Sequence, residues 1–144
     1  MAGLQLRPEI TPAHMNKRAL GSLIAMMGVT YDRFELGRVV THMQIRPDHL
    51  APNGFLHAAA VIALADSSCG GATIAHLPMG AENFTTIELK SNHLGTATDG
   101  ILDCLATNAH SGRTTQVWDA VVTARESART IALFRCTQMI LWPK

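Results

Sequence analysis

The spacing of apolar positions changes along the chain, and each change marks an element. Thr11 followed by Pro12 is a helix start, an N-cap with proline at the first helical position. Leu20, Leu23, Ile24 and Met27 then recur at helical spacing up to Gly28, a terminator, so one short amphipathic helix is expected behind a loose arm of residues 1–10. The period then drops to two. Val29 to Leu36 and Arg38 to Ile45 read as strands joined by a tight turn at Gly37. The second strand puts Val39, Thr41, Met43 and Ile45 on one face and Val40, His42 and Gln44 on the other.

Two prolines with Asp48, Asn53 and Gly54 make residues 46–54 a loop. From Leu56 or His57 to about His76 the chain is helical and apolar nearly all round, as a central, buried helix is. Four β-rich runs follow: Phe84 to His93, Ile101 to Ala109, Thr115 to Ala124 and Thr130 to Trp142. Gly100, Ser111-Gly112 and Glu126-Ser127-Ala128 punctuate them. Such short connections imply an antiparallel sheet. A sheet wrapped around one buried helix is the economical α+β solution.

The 144 residues suit one domain over 1–144, with the arm and first helix occupying about 1–28. Twelve basic residues against eleven acidic ones leave a net charge of +1, which speaks against a nucleic-acid partner. With 47% apolar and 16% charged residues the chain is not disordered, and so little charge favours a homo-oligomer that hides surface. Cys69, Cys104 and Cys136 form no CxxC pair and no zinc spacing with histidine. They read as buried reduced thiols of a cytoplasmic protein, with no metal and no cofactor. Met1 to Ile10 has no apolar signal core. Asp66, Ser67, Ser68, Gly70 and Gly71 make the apolar helix too polar to cross a bilayer, so no membrane association is expected.

Candidate chemistry centres on Asp66, in the middle of the helix expected to be most buried. An ionised carboxylate there is costly unless paired. From position alone two readings stand: a reactive group, or a residue on a polar seam with Ser67, Gly70 or solvent nearby. The helix start, Asn53-Gly54-Phe55-Leu56-His57-Ala58, offers unpaired amides and a dipole suited to a developing oxyanion. An ordinary helix start with a packed histidine is the competing reading. His57 and Asp66 are nine residues apart, roughly 13 Å and half a turn on a helix. One carbonyl cannot reach both ends of that segment in one chain, so joint action requires two antiparallel copies of the helix.

Gly54-Phe55-Leu56-His57-Ala58-Ala59 followed by Leu64-Ala65-Asp66 resembles the G-x-L-H-G-G…L-[AV]-[DE] signature of hotdog-fold acyl-CoA thioesterases of the PaaI-like group, known from phenylacetate pathways. Ser91-Asn92-His93-Leu94 and His110-Ser111-Gly112-Arg113 through Trp118 are similar to later segments of the same family. The resemblance implies a hotdog fold, sheets joined edge to edge in homodimers that often pair again as homotetramers, and hydrolysis of an acyl-CoA thioester. It makes Asp66 the catalytic carboxylate and the amide of Ala58, beside His57, the carbonyl-polarising donor. It also places Thr86 near the carboxylate, and His93, Ser111, Gly112 and Arg113 along the CoA. Arginine suits phosphate because its fork meets two oxygens.

Four positions depart from the family pattern. Ala58-Ala59 replaces a glycine pair, Ala51 stands where an amide side chain is common, and Gly95 replaces an arginine. Asn53 is the nearby amide that could supply the missing polar contact. A non-catalytic acyl-CoA sensor on the same fold is the alternative, and a hotdog hydratase a third reading that fits the His–Asp spacing less well. No G-x-S-x-G elbow supports a serine hydrolase, and no helix-turn-helix supports a DNA reader.

Overall fold

In the computed structural model, which describes residues 3–144, six antiparallel strands wrap a long helix. The helices α1 (Pro12–Ala19) and α2 (Leu23–Met27) precede strands β1 (Val29–Glu35) and β2 (Arg38–Gln44). A short 3-10 turn (Pro47–His49) leads to the central helix α3 (Ala58–Ala75). Then come β3 (Asn83–His93), β4 (Ile101–Ser111), β5 (Thr115–Ala124) and β6 (Thr130–Leu141). The strand order is β1-β2-β4-β5-β6-β3, so β3 crosses to the far edge and pairs only with β6. This is the expected α+β hotdog arrangement.

The sheet's concave face and α3 make the core. Val39, Thr41 and Met43 of β2 point inward as their alternation requires, with Leu102, Cys104 and Ala106 of β4 and Trp118, Ala120 and Val122 of β5. Thr41 and Ser68 bridge their hydroxyls at 2.5 Å, while Ser68 also lies 2.6 Å from the carbonyl of Leu64, so the polar groups between sheet and helix are satisfied. All three cysteines are free and buried.

By length and a mean hydropathy of 1.4, α3 would pass as a membrane span, contrary to the reading from its polar residues. The sheet around it supplies the better account, since it already buries 61% of that stretch.

Two expectations for the first 28 residues are corrected. The single helix is broken: Leu20 and Ser22 leave helical geometry around Gly21, whose φ of 77° only glycine adopts cheaply. The break splits the periodic set: Leu20 and Leu23 turn outward, Leu20 to 73% exposure, Ile24 and Met27 pack against the core, and Met15 and Ala19 are the buried residues of α1. The arm, over its described residues, is tied down. Arg7 donates to the carbonyls of Leu77, Pro78 and Ala81, and its amide reaches Ala75. The guanidinium thus gathers carbonyls of the loop that follows α3, while the Arg7 amide takes the last carbonyl of the helix itself.

His76, the C-cap of α3, closes the same end. Its Nδ1–H donates to the carbonyl of Ala72 (2.7 Å) and its Nε2 accepts the Gly37 amide (2.9 Å), which fixes the neutral tautomer. Burial pushes the imidazoles of His76 and His49 below the usual histidine range. Each therefore stabilises the fold fully above the unfolded histidine pKa and loses that contribution as pH falls through it. The melting temperature is expected to fall between pH 7 and 5, most clearly in an Asp66→Asn background that lacks an opposing carboxylate. A flat profile in that background would contradict the assignment.

Candidate active site

Asp66 faces a cavity of about 320 Å³ between α3, the α1–α2 segment and the start of β3. Tyr31, Phe84, Ile24 and Met15 form its apolar walls, with Arg18 at its rim. One carboxylate oxygen of Asp66 is buried and has no hydrogen-bond partner among the described residues. Desolvation alone pushes its carboxyl above the usual aspartate range.

Two adjacent glycines build the cavity. A Cβ on Gly71 would overlap the Tyr31 ring, at 2.8 Å from Cζ, and one on Gly70 would meet Phe84 Cζ at 3.2 Å. Both aromatic rings thereby reach the helix backbone, and Tyr31 donates its hydroxyl to the carbonyl of Ser67 at 2.7 Å. Burial raises the Tyr31 phenol well above its ordinary value, so it stays protonated.

At the start of α3 the imidazole of His57 accepts the amide of Ala59 at 2.9 Å and caps the helix. The amide of Ala58 has no acceptor among the described residues. Asn53 is committed to its own turn, its Oδ1 accepting the Phe55 amide. Thr86 donates to Gln138 Oε1 at 2.7 Å. Within one chain these residues do not join Asp66, and helical rise puts Ala58 ~12 Å from it.

A second, larger cavity of about 440 Å³ lies at the other end of α3. Ser111, Gly112 and Arg113 line it with His76, Gln116 and Trp142. The Arg113 guanidinium lies over the Trp142 ring at 5.0 Å, and Trp142 donates to the Arg113 carbonyl. His93 lines neither cavity and ends β3, exposed. Among the described residues no cluster could hold a metal ion.

Residues 53–137 match the thioesterase superfamily. The chain belongs to that superfamily. It is similar to the 1,4-dihydroxy-2-naphthoyl-CoA hydrolase of Listeria monocytogenes, 28% identical over 77% of this chain and 89% of the relative. It is also similar to the proofreading thioesterase EntH of Klebsiella pneumoniae, 28% identical over 79% of this chain and 82% of the relative. A crystal structure of a mutant thioesterase PA1618 from Pseudomonas aeruginosa superposes with a TM-score of 0.88, at 24% identity, over 94% of this chain and 97% of that one, which establishes the fold. This thioesterase is accordingly a thioester hydrolase.

The sequence singled out Asp66 and the helix start, and the fold sets Tyr31, Arg18 and the α1–α2 wall around the same cavity as Asp66, which the sequence did not signal directly. One signal was available: two glycines inside a helix are costly and mark a close approach by something bulky.

Proposed function

We propose that the protein is a cytoplasmic, PaaI-like thioesterase that hydrolyses an aromatic or medium-chain acyl-CoA to the free acid and CoA. The observation that carries this reading is the buried, unpartnered carboxylate of Asp66 on the wall of an apolar cavity. A raised pKa makes that carboxylate a stronger base, fit to take a proton from water or to attack the thioester carbon itself. The amide of Ala58 from a second copy supplies the oxyanion donor, held in place by the His57 cap and the Asn53 turn. Thr86 helps set the β3 wall, and the cavity at Ser111, Gly112 and Arg113 takes part of the CoA, with His93 touching its other end.

Strand β3 supports the shared site. Its 11 residues form a sheet edge with hardly any burial on either face. Even the inward-facing positions Thr86 and Leu89, whose neighbours Gln138 and Cys136 are buried, are exposed. Long bare edges are normally covered or paired. A second β3 laid alongside would cover this one, and the resulting homodimer would pair again as a homotetramer.

Thiol release from a panel of aromatic and aliphatic acyl-CoAs tests the reading, run with sedimentation over a dilution series. Activity is expected, and it should fall in step with dissociation of the dimer. A fully active monomer would refute the shared site. Saturable binding without thiol release would instead favour the acyl-CoA sensor, the reading that the Ala51 and Ala58 departures allow.

A further inference from the structure

We propose that Arg18 makes this cavity selective for acyl groups that end in an anionic substituent; the inference rests on the thioesterase reading above. Arg18 belongs to the last turn of α1 and reaches the rim of the cavity that Asp66 lines. Arg33, Arg46, Arg125 and Arg135 each hold a carboxylate, whereas Arg18 makes no ion pair or hydrogen bond among the described residues. Its place is fixed all the same. Two residues earlier, Asn16 accepts the Tyr31 amide at 2.8 Å and donates to the Tyr31 carbonyl at 3.0 Å, which pins α1 across β1.

Arg18 is not a counter-ion for the reactive group. It forms no ion pair with Asp66, and both charges act on the Tyr31 hydroxyl, Asp66 raising its pKa and Arg18 lowering it. One cavity is thus lined by a carboxylate at Asp66, by apolar Ile24 and Phe84, and by the guanidinium of Arg18. With a thioester carbonyl at Asp66, an acyl group filling this cavity shares it with the Arg18 guanidinium. A neutral acyl group leaves Arg18 with water alone, while a distal carboxylate meets it in a forked, charge-assisted pair.

The test compares two acyl-CoAs of nearly equal shape, the 4-carboxybenzoyl and 4-carbamoylbenzoyl thioesters. The native protein is expected to favour the carboxylate about tenfold in kcat/KM, the size of one charge-assisted hydrogen bond. Arg18→Gln should erase that ratio and Arg18→Lys should keep part of it. Because each ratio is taken within one variant, loss of folded protein cannot imitate the result. Equal rates in the native protein, or an unchanged ratio in Arg18→Gln, would overturn the assignment. Failure to hydrolyse these or any simple acyl-CoA would instead overturn the thioesterase reading and this inference with it.

Discussion

Replacing Asp66 by asparagine is expected to lower kcat by roughly two to four orders of magnitude, the usual worth of a positioned general base. The same change should make the protein melt at a higher temperature. Both effects come from one oxygen, buried on α3 without a partner. Its desolvation raises the carboxyl pKa in the folded state. The neutral form is therefore favoured by folding, and that contribution is lost as pH rises through the raised pKa. At pH 8 the native protein carries a buried charge, whereas asparagine is neutral at every pH. The gap in melting temperature should widen from pH 5 to pH 8. Activity should titrate the other way, rising with pH through a limb above the ordinary aspartate range. An unchanged kcat in the variant would remove Asp66 from the chemistry, and a lower melting temperature at pH 8 would contradict the burial argument.

Gly71→Ala is expected to cost about 1–3 kcal/mol of stability, the range for overpacking a well-filled interior. In an exposed helix this substitution would stabilise by about 1 kcal/mol. Here the new methyl overlaps the Tyr31 ring, which is 2% exposed and anchored by its hydroxyl to Ser67. The ring cannot swing aside without opening the Asp66 cavity, so activity should fall as well. Gly70→Ala is the internal control. Its methyl meets only the tip of Phe84 at 3.2 Å, on a half-buried ring that can yield a few tenths of an ångström. Denaturant melts of the two variants should separate clearly, and equal stabilities would show that the Tyr31 contact is not the reason for glycine at 71.

How much could be read in advance depended on the range of the interactions. The limits of α3 follow from local signals, the His57 cap and the His76 end, and they fell within a residue or two of expectation. The inward set on β2 follows from period-two alternation. The fate of Leu20 and Leu23 did not, because helical spacing continues across Gly21 while the backbone turns there. The arm looked loose because nothing near Arg7 in sequence marks its carbonyl partners seventy or more residues away. The site divides the same way. Asp66 stood out because a carboxylate inside an apolar helix conflicts with its neighbours. Tyr31 and Arg18 were silent because they come to the Asp66 cavity only when α1 and β1 fold back on α3.

The strand order has a consequence for how the protein is made. β3 leaves the ribosome well before β4, β5 and β6, yet among the described residues β6 is its only strand partner. Until β6 is available, β3 has no ladder to join, and closing that long loop comes late because of its entropy cost. Phe84, a wall of the Asp66 cavity, lies on this late strand. Apolar Ile87 and Leu89 lie on it as well, exposed in the finished chain. During synthesis the nascent protein therefore carries a bare, partly apolar strand, and the Asp66 cavity takes shape only when the final segment of the sheet docks.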